Sequence, residues 1–510
     1  MYRSFLIVFL TALGVAADRY HEPYRAQYHF SPAINWTNDP CGIVYANGEY
    51  HLFFQYNPQG NLWGHMSWGH AVSRDLVHWE QLPVAIPEGE NGMIFTGSSV
   101  VDKLNTSGLC RPGVACIVSI YTGHTPKTDA RPQRQTQHLA ISQDGRSWTK
   151  YAGNPVLDIG MADFRDPKVF WHAPTKQWIM IVVPAREKKA GIYGSFNLKE
   201  WKHLSDFGPE GATGGVWECP DLYELPVDGK PNETRWVLKI GLNPGHISGG
   251  SGEQYFLGRF DGKRFQNDNS ASETRWLDYG RDCYCALTWS GESAERPLHM
   301  IGWMNNWQYA RSTPTDPWRG AMTLPRALGL KDSPAGIRLV QSPVPEIRSL
   351  RTEAFTYEGR NVMELNRKLA KWPHRTQTFE LETVIRPGAA KQVAWRLLEG
   401  PGEYTLVGFD AATKQLFVDR SKSANTSFHE RYPSRTVAPL ETGKGPLKLH
   451  IFVDRSSVEV FAGDGQVVLT NLIFPKPDST GVSMSSDGGS PEHIRVNLWK
   501  LRSTWNLTAK

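Results

Sequence analysis

The chain has 510 residues and a formal net charge of +5 at pH 7, from 56 Lys and Arg against 51 Asp and Glu. Charges of both signs are interspersed, with no basic run, zinc-finger spacing or RNA-binding signature, so nucleic acid is excluded as an expected partner. The length indicates more than one domain, and 19 Trp residues favour aromatic packing and sugar-stacking surfaces.

Residues 1–17 have the pattern of a secretory signal peptide. Arg3 precedes an apolar run from Phe5 to Val15, and the small residues Ala16 and Ala17 suit a cleavage site. A buried first helix is the alternative interpretation. No later stretch approaches the ~20 apolar residues that a membrane helix needs, so no membrane partner is expected. We therefore expect a secreted, extracellular protein.

A unit made of an acidic residue, a strand, a turn and a second strand then repeats along the chain. Asp39-Pro40 opens the first copy, in which Asn47-Gly48 is a strong hairpin signal. Later copies open at Asp166, Glu218 and Asp282, and one near Ser98 has hydroxyls in place of the acid. These starts are 59, 68, 52 and 64 residues apart. Such a period is about the length of a four-stranded propeller blade.

A second repeat supports the same division. The frame Ser-x-Asp/Asn-x-x-x-Trp begins at Ser73, Ser142 and Ser195, and we interpret it as the outer hairpin of successive blades. Residues 18–342 are thus predicted to form a β-propeller catalytic domain. Equivalent positions of the innermost strands of a propeller face one channel. Asp39, Asp166 and Glu218 should therefore meet, although 127 and 52 residues separate them.

The repeat ends near a proline-rich stretch from Ser342 to Ile347, so we interpret residues 343–352 as a linker. Beyond it the apolar residues alternate, as in the run from Leu447 to Val453, and helical periodicity is weak throughout. Residues 353–510 are predicted to form a β-sandwich, which gives an all-β chain.

Three carboxylates in one channel favour either a metal site or acid–base chemistry on a substrate. A metal site would place more acids or histidines close together, so no metal and no cofactor is expected. A Ser-His-Asp centre has little support, because the glycines at 249–252 lack a strand-to-helix elbow. The side chains around the acids suit a sugar, and paired carboxylates can cleave a glycosidic bond. The alternative is that the acids cap turns or hold blades together.

Cysteines and glycosylation motifs add expectations for a secreted chain. Cys110 and Cys116 flank a short loop and form a plausible disulfide. The other four cysteines lie in the acidic motifs and do not have the spacing of a zinc site: Cys41, Cys219, Cys283 and Cys285. We interpret them as buried free thiols. A disulfide between Cys41 and Cys219 is an alternative that the sequence does not decide. Glycosylation is expected at four sequons: Asn105, Asn232, Asn425 and Asn506. A fifth, at Asn35, lies in the first acidic motif, where a glycan would block the channel.

Many of these segments resemble the motifs of glycoside hydrolase family 32, which contains invertases, inulinases and levanases. The resemblance covers nearly the whole chain after residue 17, and it is closest to secreted fungal exo-inulinases. The matching segments are Trp36–Pro40, Phe54–Pro58, Trp68–Ala71, Phe95–Ser98, Phe164–Pro167, Trp217–Pro220, Ile301–Tyr309, Pro317–Arg319 and Phe452–Phe461. One departure is Cys41, where the family usually has Asn.

The resemblance implies a five-bladed β-propeller followed by a C-terminal β-sandwich. It implies Asp39 as nucleophile, Glu218 as general acid/base and Asp166 as the group that grips fructose hydroxyls. The residues that it places around the fructose are Asn38, Gln55, Trp63, Ser98, Arg165 and Trp307.

The function implied is that of a retaining exo-β-fructosidase that releases terminal fructose from inulin, levan and sucrose. One alternative is an invertase or fructosyltransferase that acts mainly on sucrose, since the same acids would serve it. A second alternative is a non-catalytic fructan-binding protein, against which the intact acidic set argues.

Overall fold

The structure is a computed structural model, and it describes residues 19–89, 92–292, 296–443 and 445–505. The predicted signal peptide lies outside this range. Among the described residues no helix is long and apolar enough to cross a membrane. Within these ranges the chain is all-β apart from one α-helix and four short 3₁₀ helices, as the alternating patterns predict.

The first three sheets are antiparallel meanders of four consecutive strands. Their strands are β1 (Asn35–Ala46), β2 (Glu49–Asn57), β3 (Ser67–Ser73) and β4 (Glu80–Ile86); β5 (Met93–Asp102), β6 (Cys116–Thr125), β7 (Arg134–Ser142) and β8 (Thr149–Lys150); and β9 (Phe164–His172), β10 (Gln177–Pro184), β11 (Ala190–Ser195) and β12 (Lys202–Phe207). The predicted hairpin at Asn47-Gly48 is present between β1 and β2, and both residues have the positive φ that this turn requires.

Two further meanders follow, and a single parallel pair between Val227 and Leu330 joins them. The strands are β13 (Val216–Val227), β14 (Lys230–Asn243), β15 (Gly252–Phe260), β16 (Phe265–Asn267) and β17 (Arg275–Trp276), then β18 (Tyr284–Thr288), β19 (His299–Trp303), β20 (Trp318–Arg319), β21 (Arg326–Lys331) and β22 (Arg338–Pro343). Of these, β17 pairs with β15, and β20 returns to pair with β1.

The Ser-x-Asp/Asn-x-x-x-Trp frames lie in the turns between the third and fourth strands of the first three meanders, as predicted. In each turn the acid or amide oxygen accepts backbone N–H groups two and three residues later. Asp75 does so at 3.0 and 2.8 Å, and Asn197 at 3.0 and 2.9 Å. These side-chain caps give the turn its sequence signature.

Two antiparallel sheets enclose a common core after Leu350. One contains β23 (Arg351–Gly359), β24 (Phe379–Arg386), β29 (Leu447–Asp454), β30 (Ser457–Ala462), β31 (Val467–Leu472) and β33 (His493–Leu501); the other contains β25 (Gln392–Gly400), β26 (Glu403–Asp410), β27 (Gln415–Asp419), β28 (Arg435–Pro439) and β32 (Gly481–Asp487). The helix α1 (Val362–Lys371) packs against this core through Leu365 and Leu369.

Buried ion pairs join the two halves of the chain. Arg420, between β27 and β28, donates to Asp282 at 2.5 Å and to the Tyr309 hydroxyl at 2.7 Å. Arg326 on β21 donates to Glu459 on β30 at 2.6 Å. Burying such charges is favourable only when every partner is present, so the halves are fixed in one arrangement.

Candidate active site

A β-bulge interrupts the first strand of several meanders where the repeated acid or hydroxyl occurs. The pairing of β1 shifts between Thr37 and Pro40, and that of β13 shifts between Glu218 and Asp221. On β9 the shift accompanies Asp166, which has a φ of 64°. A bulge turns a side chain away from the regular alternation. A break in the regular pairing thus lies at or beside each of the three acids.

The three carboxylates lie around one residue, Cys219. Its Sγ atom is 3.8 Å from Oδ2 of Asp39 and 3.7 Å from Oδ2 of Asp166. Its backbone N–H also donates to Oδ2 of Asp166 at 2.9 Å, and Glu218 is the preceding residue. The structure therefore brings together the three acids that the repeat singles out.

Asp39 is almost fully buried at the base of the group. The hydroxyl of Thr96 donates to its Oδ2 at 3.1 Å, whereas no described residue donates to its Oδ1. Burial raises the pKa of Asp39 to about 6, and the negative charge of Glu218 adds to the effect. The neighbouring Asn38 side chain and the hydrogen bond from Thr96 oppose it.

Asp166 is 6% exposed and is held by its backbone as well as its side chain. Its N–H donates to the Thr122 hydroxyl at 3.0 Å. Burial raises the pKa of Asp166 to about 7; the charge of Glu218 adds to this, while the guanidinium of Arg165 opposes it. Both aspartates thus have a much weaker tendency to ionise than an exposed aspartate.

Glu218 has a different environment, with an 18% exposed side chain. Nε and Nη2 of Arg165 donate to its Oε1 at 3.1 and 2.9 Å, and the hydroxyl of Tyr284 donates to its Oε2. The preceding Trp217 is buried in a hydrophobic cluster, where it packs against Phe256. Burial raises the pKa of Tyr284 well above its usual value, which keeps this phenol a proton donor.

The residues predicted to contact fructose have the following contacts. Asn38 precedes Asp39 and accepts the indole N–H of Trp36 at 2.7 Å, and Trp307 stacks on Trp36 with ring centres 5.9 Å apart. Gln55 is buried near Cys41, with its Nε2 4.0 Å from the sulfur. These contacts fix aromatic faces and amide groups around the carboxylates. Trp63 is half-buried, with its ring edge-on to Phe95 at 6.1 Å.

Ser98 has a structural role that the sequence does not reveal. Its hydroxyl donates to the carbonyl of Pro167 and accepts the N–H of Val169, both at 2.9 Å. Because both bonds join β5 to β9 directly after Asp166, Ser98 supports the strand that carries this acid.

The cysteines agree with the sequence in part. Cys110 and Cys116 form the expected disulfide, with Cα atoms 5.2 Å apart. The expectation of four free thiols is wrong for Cys219 and Cys285, which are bonded to each other with Cα atoms 5.3 Å apart. Cys41 and Cys283 are free and buried, so the Cys41–Cys219 bridge that was left open does not form. Cys219 bonds Cys285 because β18, which carries Cys285, lies against β13, which carries Cys219.

Three of the four predicted glycosylation sites can be located. Asn232 is exposed in β14, and Asn425 is half-buried. Asn105 is exposed, but its side chain hydrogen-bonds the backbone of Cys110 at 3.0 and 3.3 Å. Asn506 lies outside the described residues.

Two groups of side chains within the described ranges have the spacing of metal ligands. One consists of Asp39 with Cys219 and Cys285, whose sulfurs are already joined to each other. The other is Glu380, Glu382 and His450, in which Arg351 binds Glu380 at 2.7 and 2.5 Å. The positively charged guanidinium of Arg351 thus occupies the position that a metal ion would take beside Glu380.

Tyr284, which hydrogen-bonds Glu218, is a candidate site residue that the sequence motifs do not identify. It is the first residue of β18, two residues after the acid that opens the fourth acidic copy of the repeat, Asp282. That acid bonds Arg420 at the interface between the halves. Its position could have identified it, because Tyr284 is an aromatic residue with a hydroxyl group at the start of an innermost strand.

Carboxylates in unlike environments, surrounded by stacked Trp rings and amides, are the equipment of a glycoside hydrolase. The N-terminal domain of glycosyl hydrolases family 32 matches residues 29–343, and its C-terminal domain matches residues 346–500. The chain belongs to glycosyl hydrolases family 32.

Two relatives match almost the whole of this chain. The chain is 45% identical to a levanase of Bacillus subtilis over 514 residues, covering 100% of this chain and 75% of the levanase. It is 43% identical to an extracellular exo-inulinase of Aspergillus awamori, covering 98% of this chain and 99% of that protein.

Solved structures give the same result. The crystal structure of the Aspergillus awamori exo-inulinase superposes with a TM-score of 0.87 at 41% identity, covering 95% of this chain and 100% of that one. A β-fructofuranosidase of Schwanniomyces occidentalis complexed with fructosyl-erythritol superposes with a TM-score of 0.84 at 33% identity, covering 96% and 99% of the two chains.

Proposed function

We propose that the protein is a secreted, retaining exo-β-fructosidase that releases terminal fructose from inulin, levan and sucrose. The observation that carries the proposal is the convergence of Asp39, Asp166 and Glu218 around Cys219. The names of the relatives, a levanase and an exo-inulinase, support the substrate class.

Asp39 is assigned as the nucleophile. An attacking carboxylate needs an oxygen that is not already engaged, and no described side chain or backbone group donates to Oδ1 of Asp39. The Thr96 hydroxyl holds the other oxygen at 3.1 Å, which fixes the orientation of the group. This arrangement suits attack on the anomeric carbon of a sugar ring placed above it.

Glu218 is assigned as the general acid and base. It is the most exposed of the three carboxylates. In the first step it would protonate the oxygen of the departing sugar as Asp39 forms a fructosyl ester. In the second step it would remove a proton from water, which attacks the ester and restores Asp39.

Asp166 is assigned to binding and to transition-state stabilisation. Its carboxylate is fixed by the Cys219 N–H, and Arg165 lies beside it and binds Glu218. A fixed carboxylate can accept hydrogen bonds from fructose hydroxyls. These bonds strengthen in the transition state, when positive charge develops on the sugar ring. We assign Asn38, Gln55, Trp63, Arg165 and Trp307 to the walls of the same site, with Ser98 as a support.

We also propose that residues 18–342 form a five-bladed β-propeller, with a linker at 343–352 and a β-sandwich at 353–510. The first strands of the five meanders contact one another in a closed order that supports this: β1 lies against β5 and β18, β5 against β9, β9 against β13, and β13 against β18. A ring of five innermost strands is what a five-bladed propeller requires.

Secretion is inferred from three features together. These are the signal-peptide pattern at residues 1–17, the two disulfides and the extracellular exo-inulinases among the relatives. Disulfides persist in oxidising compartments. Glycans are proposed at Asn105, Asn232, Asn425 and Asn506.

Time-resolved product analysis on inulin, levan and sucrose tests the proposal. A blind site that admits one terminal fructose should release almost only free fructose at early times. Early tri- and tetrasaccharides from inulin would contradict exo action. Transfer products from sucrose in place of free fructose would identify a fructosyltransferase, and binding without any release would identify a fructan-binding protein.

A further inference from the structure

The Cys219–Cys285 disulfide crosses the candidate active site between β13 and β18. Both cysteines are buried, and both have a left-handed backbone, with φ of 47° and 46°. Each lies in a bulge, because the pairing of β13 shifts after Glu218 and that of β18 shifts after Tyr284. The bond thus joins two bulges whose backbone conformation is unfavourable for residues other than glycine.

The two residues that precede these cysteines form the hydrogen bond between Tyr284 and Glu218. The disulfide also fixes Cys219, whose N–H donates to Asp166 and whose sulfur contacts Asp39 and Asp166. The disulfide therefore affects the position of all three acids: Cys219 contacts Asp39 and Asp166 and is adjacent to Glu218.

A second, non-covalent tie joins the same two strands. Lys239 donates to the carbonyl of Cys219 at 2.5 Å and pairs with Glu253 at 3.1 Å. Glu253 in turn accepts the N–H of Ala286 at 3.1 Å. This tie does not involve the disulfide, so we expect it to keep β13 and β18 in contact when the disulfide is removed.

We propose that the Cys219–Cys285 disulfide is a positioning element of the catalytic centre, which holds Glu218 against Tyr284 and the Cys219 N–H against Asp166. The inference rests on the proposed function, because it concerns the placement of the proposed acid/base. The competing explanation is a staple that only stabilises the fold, and it predicts no effect on kcat.

The sequence provides a matched control. Cys110 and Cys116 form the other disulfide at the start of β6, and they contact none of the three acids in the structure. The test uses Cys285→Ala and the double variant Cys219→Ala/Cys285→Ala, with Cys110→Ala/Cys116→Ala as the control. The double variant separates loss of the bond from the new thiol that the single variant leaves beside the acids.

Thiol counting establishes the bond first. The denatured wild-type protein should react with iodoacetamide at two cysteines, Cys41 and Cys283, and Cys285→Ala should react at three. Four reactive cysteines in the wild type, with only Cys110–Cys116 bonded, would overturn the proposal whatever the variants do.

Kinetics on sucrose then separate positioning from stability. Both active-site variants should lose about 10–100-fold in kcat, because a displacement of about 1 Å of a catalytic group costs this much, while KM changes less than about threefold. The pH profile of kcat/KM should also shift. The control variant should keep the wild-type kcat and pH profile.

Active-site variants that melt at a lower temperature but keep kcat and the pH profile would show a staple and overturn the proposal. A wild-type protein that releases no fructose would instead contradict the proposed function, so the two failures are distinguishable.

Discussion

Asp39 and Asp166 are held in surroundings that disfavour their ionised forms, because burial raises their pKa values to about 6 and about 7. In the unfolded chain both titrate near 3.8. The unfolded state therefore loses its protons first as the pH rises, and the native state becomes relatively less stable between pH 4 and pH 7. Such a cost is typical of groups placed for function.

Replacing Asp166 with Asn tests this balance. We expect kcat/KM to fall by about 10²–10³-fold, because a fixed charge at the transition state is lost. The free energy of unfolding at pH 8 should rise, by up to about 4 kcal/mol, because the buried charge is gone. The measurements are sucrose kinetics and urea unfolding at pH 8 and pH 4. A variant with normal kcat would assign Asp166 a structural role.

At the scale of residues, the sequence identifies the acids and misses what surrounds them. Asp39, Asp166 and Glu218 can be predicted from a repeat, because a repeat identifies equivalent positions without any knowledge of the distances between them in space. The partners of these acids depend on which strands become neighbours. The contact between Tyr284 and Glu218, and the bond between Cys219 and Cys285, could not be read from spacing for this reason.

At the scale of elements, the bulges in the innermost strands are the decisive feature. A regular strand would turn alternate side chains to opposite faces, whereas each bulge directs one residue out of that alternation. The residue after Glu218 and the residue after Tyr284 adopt the same left-handed conformation. The sequence predicts the strands and the hairpins correctly but gives no sign of the bulges on β13 and β18, because the residues with positive φ there are Cys219 and Cys285, not glycine.

Replacing Tyr284 with Phe tests what the bulge of β18 provides. Loss of the phenol leaves Oε2 of Glu218 without this donor, and a hydrogen bond to a charged group is worth about 1.5–3 kcal/mol. We expect kcat to fall by about 10–100-fold with a small change in KM. Substrates with good leaving groups should be affected less than sucrose, since they need less proton donation. Equal losses on both substrates would contradict a role for Tyr284 through Glu218.

At the scale of the whole molecule, a buried charge network joins the two halves. His29 lies between Asp454 and Glu459, at 2.8 and 2.9 Å, and Glu459 also binds Arg326. Burial alone would lower the pKa of His29, but the hydrogen bonds that its ring donates to the two carboxylates, together with their negative charges, outweigh burial and raise the pKa to about 9. These partners are more than 400 residues from His29, so no local pattern predicts them.

The network makes stability depend on pH in a defined window. The folded pKa of His29 exceeds its unfolded value of 6.5, so its contribution is fully present below pH 6.5 and is lost as the pH rises through 9. The loss should be about 3 kcal/mol. Urea unfolding between pH 6 and pH 10 measures it. A His29→Gln variant should be less stable at pH 6 and show a flatter profile, and an unchanged profile would contradict the assignment.

The fold as a whole follows from the sequence better than the interface does. Hairpin signals and alternation predict the strands because they act over a few residues. The ion pairs of Arg420 and Arg326 with Asp282 and Glu459 depend on how the two halves pack. That packing is a tertiary property, and it appears only in the structure.

Asp39 as the nucleophile is the central element of the proposed mechanism, and the stereochemistry of the reaction tests it most directly. Attack by Asp39 followed by attack of water inverts the anomeric carbon twice, so the fructose first released should have the β configuration. Proton NMR of the earliest product from inulin measures this, and a parallel reaction with methanol should give methyl β-fructoside. Initial release of α-fructose without any methyl β-fructoside would contradict the covalent intermediate and the roles given to all three acids.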